Sequence, residues 1–170
     1  EYQGKGISYC AVCDGFFYRN KDVLVFAHDA KGYKEALYLE NLVNKIYLVN
    51  DNNVDDNDND LATLKKSKKV EFFYPFVIKE FLGNEEGLTG VVIKDNTNNI
   101  EKNISCIGAF PFVGDTPSSY FLMSLGLKMD GGYIDVDSNC ESSIKGVFAV
   151  GDIVHKLLKQ IVTASSDGAV

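Results

Sequence analysis

Two short apolar runs, separated by a helical segment, most constrain how this chain can fold. Residues 23–27 read Val-Leu-Val-Phe-Ala and residues 45–49 read Lys-Ile-Tyr-Leu-Val, and each has the length of a buried strand. Between them, residues 31–43 carry apolar side chains at helical spacing, among them Ala36 and Leu39. A strand, a helix and a strand in so short a span form a βαβ unit, in which the two strands run parallel. The pattern therefore predicts an α/β fold with a parallel sheet.

The rest of the chain adds further strands to this core. Three alternating segments, 77–82, 88–94 and 100–107, are separated by turn residues and predict an antiparallel β-meander beside the parallel sheet. The other segments with strand or helix patterns are strands over 70–76, 109–113, 132–136 and 146–152, and helices over 61–69, over 117–125 and from about Lys156.

A C-x-x-C pair, Cys10 and Cys13, is the most chemically specific motif near the start of the chain. Such a pair is half of a zinc site, a redox-active disulfide or a coincidence. Zinc needs about four ligands, and the histidines, His28 and His155, are far apart in sequence. The spacing therefore favours a redox disulfide, and we expect no metal.

The residues around this pair and the two other cysteines fit the redox interpretation. Asp14 follows Cys13 directly and is placed to move a proton when a thiolate leaves or forms. Cys106 lies in an apolar strand segment and predicts a buried thiol. Cys140 lies in a polar loop and is interpreted as a bystander.

Charge and hydropathy exclude some partners. The net charge is −7 and Arg19 is the only arginine, which disfavours binding to nucleic acid or to an anionic membrane. No apolar run approaches the roughly 20 residues of a membrane helix. No export signal is visible, so we expect a cytoplasmic protein. The chain does not begin with Met, and we expect it to be part of a longer protein.

Three segments resemble the bacterial-type, low-molecular-weight thioredoxin reductases. They are Cys10 to Tyr18, which reads CAVCDGFFY, residues 146–152, which read GVFAVGD, and residues 159–169, which read KQIVTASSDGA. The resemblance implies a Rossmann-like, three-layer domain over residues 1–114, similar to a pyridine-nucleotide domain and carrying the dithiol. It implies that residues 115–170 are the C-terminal part of a split FAD-binding domain whose first segment is absent.

The same resemblance implies roles for individual residues around the dithiol. Cys10 would attack the disulfide of thioredoxin, Cys13 would face the flavin, and Asp14 would be the acid–base group. It also implies FAD as the cofactor, thioredoxin as the partner and a homodimer.

On the flavin side, the resemblance implies that Asp152 hydrogen-bonds the ribityl chain and that Gly151 permits its close approach. Lys159 and Gln160 fall where the family has Arg-Gln, and lysine lacks the bidentate fork of arginine. Ile161 and Ala164 lie in the helix that follows and complete the predicted cofactor-binding set.

The sequence departs from the family where a pyridine nucleotide would bind. A phosphate-binding turn needs glycines after the first strand, but residues 26–31 read Phe-Ala-His-Asp-Ala-Lys and only Gly32 remains. We expect Asp29 to cap the following helix, where its carboxylate would repel a pyrophosphate. Residues 50–56 read Asn-Asp-Asn-Asn-Val-Asp-Asp where the family has a basic cluster for the 2′-phosphate of NADPH; Asp51 keeps a possible contact to a 2′-hydroxyl.

This departure makes NAD(P)H a doubtful donor. It resembles a branch of the family that takes electrons from reduced ferredoxin, which implies ferredoxin as the donor. Two alternatives stay open. One is an NADPH-dependent thioredoxin or peroxiredoxin reductase with a divergent nucleotide loop. The other is a non-catalytic, redox-sensing dithiol module.

Overall fold

The computed structural model describes residues 2–51, 57–114 and 117–170. The chain divides into two compact units, Glu1–Gly114 and Asp115–Val170. The first unit contains, in chain order, α1 (Ala11–Asp14), β1 (Asp22–Ala27), α2 (Ala30–Glu40), β2 (Lys45–Val49), α3 (Asn59–Lys66), β3 (Val70–Phe73), β4 (Phe76–Asn84), β5 (Gly87–Asp95), β6 (Glu101–Ser105) and β7 (Gly108–Phe112). A 3₁₀ turn over Gly15–Tyr18 follows α1 directly.

The first unit has the predicted α/β architecture, with one parallel and one antiparallel sheet. The parallel sheet has the strand order β3-β2-β1-β7, and the antiparallel sheet has the order β4-β5-β6. In the parallel register, Val23 lies opposite Ile46 on one side and Gly108 on the other. The predicted βαβ unit and the predicted meander are both confirmed.

Strand β1 is buried on both faces, and this produces three layers. Val23 and Val25 pack with Leu39 and other residues of α2 and α3. Leu24 and Phe26 point the other way, into a cluster formed with the antiparallel sheet. Alternate side chains of a strand point to opposite faces, so one continuous apolar run supplies both interfaces. The three layers are therefore helices, parallel sheet and antiparallel sheet.

Helix α2 begins at the predicted cap. Asp29 has an extended backbone, and its Oδ1 accepts a hydrogen bond from the Gly32 amide at 3.1 Å. The helix ends at Glu40 rather than at residue 43. Asn41 follows, and its side-chain amide donates to the Leu37 carbonyl at 2.9 Å, which satisfies one of the carbonyls left open at a helix end.

Helix α3 and strand β3 differ from the predicted ranges for similar local reasons. Helix α3 starts at Asn59 because Oδ1 of Asp58 accepts from the amides of Asp60 and Leu61. Strand β3 stops at Phe73, before the Tyr74–Pro75 turn, instead of continuing to residue 76.

The second unit is built mostly from turns. It contains a 3₁₀ helix over Tyr120–Leu125, the two-residue strands β8 (Met129–Asp130) and β9 (Tyr133–Ile134), a 3₁₀ turn over Gly151–Ile153, and α4 (Ile161–Asp167). Its small core is centred on Ile134, Ala149 and Val154. No helix in the described parts of either unit is both long and apolar enough to cross a membrane.

Three predictions for the second unit are wrong. Residues 146–152 are not a strand, because in this unit they pair through a single bridge between Phe148 and Glu141, and a strand needs a partner along its length. The strand predicted over 132–136 is only Tyr133–Ile134. The last helix begins at Ile161, with Gln160 as its N-cap, rather than near Lys156.

The cap of α2 generates a prediction. Replacing Asp29 by Ala removes the acceptor for the Gly32 amide and should cost about 1 kcal/mol at this helix end, so exchange of that amide with deuterium should become about fivefold faster. The matched variant Asp29→Asn keeps a capping oxygen and should exchange nearly as the parent does. Amide exchange measured by NMR checks both. Equal protection in Asp29→Ala and the parent would contradict the assignment of this cap.

Candidate functional site

Cys10 and Cys13 form a disulfide at the start of helix α1. Cys10 is the N-cap of the helix, and its sulfur accepts a hydrogen bond from the Cys13 amide at 3.1 Å. The two Cα atoms are 5.3 Å apart. Because the Cys13 amide donates to the Cys10 sulfur, the fold favours a thiolate at Cys10 when the bond is opened.

Ser8 links Asp14 to the dithiol. The Ser8 hydroxyl donates to Oδ2 of Asp14 at 2.6 Å, and its oxygen accepts from the Cys10 amide at 3.2 Å. The side chain is buried, so this bridge is shielded from water. The structure therefore holds the predicted acid–base residue close to the backbone of the first cysteine. Sequence reasoning missed Ser8, since a serine before a C-x-x-C motif has no distinctive spacing.

Glu35 of α2 also reaches the dithiol helix. Its Oε2 accepts from the Ala11 amide at 3.1 Å. Ala11 is fully buried. This contact joins residues 24 positions apart in sequence, and no motif points to it.

An exposed apolar surface surrounds the disulfide. Phe16 and Phe17 are 65% and 77% exposed, and Tyr9 and Val12 are also largely exposed. Clustered exposed aromatics are typical of surfaces that contact another protein. Tyr18, by contrast, packs edge-on against the buried Phe110, and burial, followed by the charge of Asp14, raises the pKa of its phenol.

The other two cysteines lie outside this constellation. Cys106 is buried, as predicted, and burial raises the pKa of its thiol to about 12, which makes it unreactive near neutral pH. The Cys140 sulfur lies 3.7 Å from the Asp167 carbonyl. Among the described residues, no group of three or more His, Cys, Asp or Glu side chains is arranged to hold a metal.

The turn between β1 and α2 has no open phosphate cradle. Asp29 already accepts from the Gly32 amide, and Nδ1 of His28 lies 2.9 Å from Oδ2 of Asp51. Asp51, the residue with the predicted contact to a 2′-hydroxyl, thus pairs with His28 of the β1–α2 turn. The neighbouring Asn50 is buried and donates to the Tyr33 hydroxyl at 2.8 Å. Residues 52–56, also part of the predicted acidic segment, lie outside the described residues.

The close packing of α2 on β1 requires glycine at position 32. A Cβ at this position would lie 2.8 Å from the Cα and Cβ atoms of Ala27, so only glycine lets α2 approach β1 this closely. Of the glycines of a dinucleotide-binding turn, the one that serves helix–strand packing is kept.

The predicted flavin residues of the second unit form one local cluster. Gly151 has φ +81°, which favours glycine, and its position packs against Ala164 of α4. The Asp152 side chain is exposed next to it. Gln160 caps α4, and Ile161 is its first residue.

Lys159 and Asp167 make further contacts in this unit. The Lys159 ammonium lies 3.1 Å from the centre of the Tyr133 ring, so in this structure it makes a cation–π contact. Oδ2 of Asp167 accepts from the Gly151 amide at 2.8 Å and also pairs with the Lys156 ammonium. Sequence reasoning missed Asp167, which anchors the Gly151 turn to the end of α4.

These residues fit a flavin at the ribityl chain. An exposed carboxylate at Asp152 is an acceptor for hydroxyl donors. Gly151, which adopts a left-handed conformation, has no Cβ, so the turn beside Asp152 is open to close approach. Asp152 and Gly151 would hold the ribityl chain.

Comparison with known proteins places the chain in a family. The sequence model for "Pyridine nucleotide-disulphide oxidoreductase" matches residues 2–168, and the chain belongs to this family. A thioredoxin reductase from Helicobacter pylori is 37% identical over 99% of this chain and 56% of its own length. One from Bacillus subtilis is 34% identical over 100% of this chain and 54% of its own length.

Solved structures give the same result. Thioredoxin reductase from Streptococcus pyogenes superposes with a TM-score of 0.89 at 33% identity, over 97% of this chain and 54% of that one. A ferredoxin-flavin thioredoxin reductase from Clostridium acetobutylicum is more distant, with a TM-score of 0.52 at 26% identity, over 97% of this chain and 51% of that one. The chain spans about half the length of the relatives it matches.

The Asp167 anchor generates a prediction about acid pH. The Lys156 ammonium, followed by the Gly151 amide, lowers the pKa of Asp167 below its ordinary value of 3.8. Because the folded-state pKa is depressed, the anchor is present above the ordinary value and is lost as the pH falls through the folded one. In an NMR titration, the Gly151 amide shift should therefore move with a midpoint below pH 3.8.

The variant Asp167→Asn should abolish that titration of the Gly151 amide, whereas Asp130→Asn, at an exposed carboxylate of the same unit, should leave it unchanged. Persistence of the titration in Asp167→Asn would contradict the anchoring role.

Proposed function

We propose that this chain is the dithiol-carrying part of a flavin-dependent thioredoxin reductase. In this proposal, residues 1–114 form a pyridine-nucleotide-like domain that carries the redox pair, and residues 115–170 contribute to the FAD-binding domain. The Cys10–Cys13 disulfide at the N-terminus of α1, with Asp14 beside it, is the observation that carries the proposal. The similarity to proteins named thioredoxin reductase supports it.

The proposed reaction is a dithiol–disulfide exchange. FAD, when bound in the whole protein and reduced by the donor, would supply the two electrons that open the Cys10–Cys13 bond, and two protons would complete the two thiols. The Cys10 thiolate then attacks the disulfide of thioredoxin, forming a mixed disulfide and releasing one thioredoxin thiolate. The Cys13 thiolate attacks Cys10, which restores the Cys10–Cys13 bond and releases reduced thioredoxin.

Three features of the chain would assist this exchange. The Cys13 amide donates to the Cys10 sulfur and stabilises a thiolate there. Asp14, held by Ser8, would take the proton of the Cys10 thiol as the thiolate forms and give it to the departing thioredoxin thiolate. The exposed aromatics Phe16 and Phe17 offer an apolar surface next to the reacting sulfurs for a protein substrate. This apolar surface suits the disulfide of a protein better than that of a small molecule.

Trapping the mixed disulfide tests the order of attack. The thioredoxin used keeps only the cysteine that is attacked, held as a mixed disulfide with thionitrobenzoate, so that thionitrobenzoate leaves and no second thioredoxin thiol can reverse the attack. In the variant Cys13→Ser the Cys10 thiolate can attack this thioredoxin but Cys13 is not there to resolve the product, so a covalent complex should accumulate. In Cys10→Ser it should not. Non-reducing electrophoresis and peptide mass spectrometry check the linkage. A complex through Cys13 instead, in the variant that retains only Cys13, would reverse the two roles, and no complex in either variant would contradict exchange with thioredoxin.

The electron donor is a second part of the proposal. We propose that the β1–α2 turn does not bind NAD(P)H and that reduced ferredoxin serves as the donor. The support is physical. A carboxylate occupies the helix N-terminus where a pyrophosphate would accept from the amides. His28 and Asp51 engage each other beside it. The ferredoxin-flavin thioredoxin reductase from C. acetobutylicum is a more distant likeness than the thioredoxin reductase from S. pyogenes.

Anaerobic reduction of the whole flavoprotein tests the donor. Mixed with reduced ferredoxin, the flavin should lose its absorbance within the time of one turnover, whereas NADPH and NADH should leave it oxidised. Bleaching by NADPH at that rate would overturn the ferredoxin donor and favour an NADPH-dependent thioredoxin or peroxiredoxin reductase. A protein that purifies without flavin would favour the redox-sensing module. The homodimer stays a prediction from family resemblance.

A further inference from the structure

The amides at the start of helix α1 have two different acceptors. The Cys13 amide donates to the Cys10 sulfur, and the Ala11 amide donates to the Glu35 carboxylate, each at 3.1 Å. Unpaired amides at a helix start attract negative charge. One acceptor is the sulfur that becomes a thiolate, and the other is a carboxylate. Both lie at the single turn of α1, so the Glu35 carboxylate opposes a negative charge on the Cys10 sulfur.

Packing brings Glu35 to this position. Helix α2 lies on the helical face of the parallel sheet, where Ala36 and Leu39 belong to the same buried cluster as Ala11. A side chain at Gly15 would meet Leu39 at 2.9 Å, which shows how closely the segment after α1 approaches α2. The hydrogen bond between Glu35 and Ala11 is therefore partly buried, and charges act more strongly there than at an open surface.

We propose that Glu35 is a positioning residue of the dithiol, whose carboxylate braces the start of α1 and opposes the accumulation of thiolate at Cys10. This inference rests on the proposed dithiol function. Glu35 neither gives nor takes electrons. A dithiol whose thiolate is less stabilised has a less stable reduced form and is a stronger reductant, which suits a pair that passes electrons onward.

Other groups around Cys10 bear on the same balance. Asp14 on α1 adds a second carboxylate through Ser8, and the Tyr18 phenol, whose pKa burial raises, stays neutral at physiological pH. The Cys13 amide acts in the opposite direction, because it donates to the sulfur. Asp14 is placed in the proposed chemistry, so the test leaves it unchanged and alters Glu35 alone.

The variant Glu35→Gln separates charge from bracing. Glutamine keeps an oxygen that can accept from the Ala11 amide but removes the charge, whereas Glu35→Ala removes both. Glu40→Gln is the matched control, because Glu40 is also on α2 and bonds to the Ser67 hydroxyl instead of to α1. All three variants are made in the full 170-residue chain.

The measurement is the pH dependence of alkylation of Cys10 by iodoacetamide in the reduced chain, followed by mass spectrometry. We expect Glu35→Gln to move the midpoint of the reaction down by about half a pH unit, a change of about threefold in the thiolate population below the midpoint. Glu40→Gln should leave the midpoint unchanged. Deuterium exchange at the Ala11 amide should stay slow in Glu35→Gln and become faster in Glu35→Ala.

The outcomes separate this inference from the proposed function. An unchanged midpoint in Glu35→Gln, or an equal shift in Glu40→Gln, would overturn the electrostatic role. The alkylation measurement needs neither flavin nor thioredoxin. A shifted midpoint with no thioredoxin reduction by the whole protein would therefore support the role of Glu35 and contradict the proposed function. An unchanged midpoint with normal thioredoxin reduction would contradict the role of Glu35 and support the proposed function. If Glu35→Ala does not fold, Glu35→Gln still decides the question.

Discussion

Burial of β1 on both faces is the constraint on which the first unit depends. Its apolar run pairs in parallel with β2 and β7, packs α2 on one side and receives the antiparallel sheet on the other. An uninterrupted apolar strand is stable only between two layers. Once those layers form, the start of α2 lies at the carboxyl end of β1, and the face of α2 supports the dithiol helix. The Cys10–Cys13 disulfide and the β1–α2 turn are thus positioned by the two parts of one helix.

That helix also explains how the β1–α2 turn is packed and closed. Gly32 remains because α2 contacts Ala27 of β1 too closely for any side chain. Asp29 then satisfies an amide of α2 that would otherwise need a ligand. Asn50 at the end of β2 ties the Ala27 carbonyl and the Tyr33 hydroxyl together. The turn is closed by its own side chains, so a stable fold at this place requires no bound phosphate.

The candidate site combines opposing electrostatic influences. A sulfur at a helix N-terminus is stabilised as a thiolate, whereas carboxylates at Asp14 and Glu35 oppose that charge. Exposed aromatics next to the disulfide make the same surface apolar. In the second unit, Asp167 draws the Gly151 turn onto α4 and leaves the Asp152 carboxylate exposed. In each unit, a carboxylate that belongs to no recognisable motif holds the backbone of the motif. Glu35 holds the dithiol helix through the Ala11 amide, and Asp167 holds the Gly151 turn.

The sequence by itself determined the local and periodic features: the βαβ unit, the meander, the helix cap at Asp29 and the spacing of Cys10 and Cys13. These follow from patterns of a few neighbouring residues, whose physics is local. Only the tertiary structure decided that Glu35 reaches Ala11, that His28 engages Asp51 and that Gly151 is held by Asp167, pairs separated by 24, 23 and 16 residues. It also decided against the strand over 146–152, because a strand exists only where another backbone supplies its hydrogen bonds, and pairing of that kind depends on how distant elements pack.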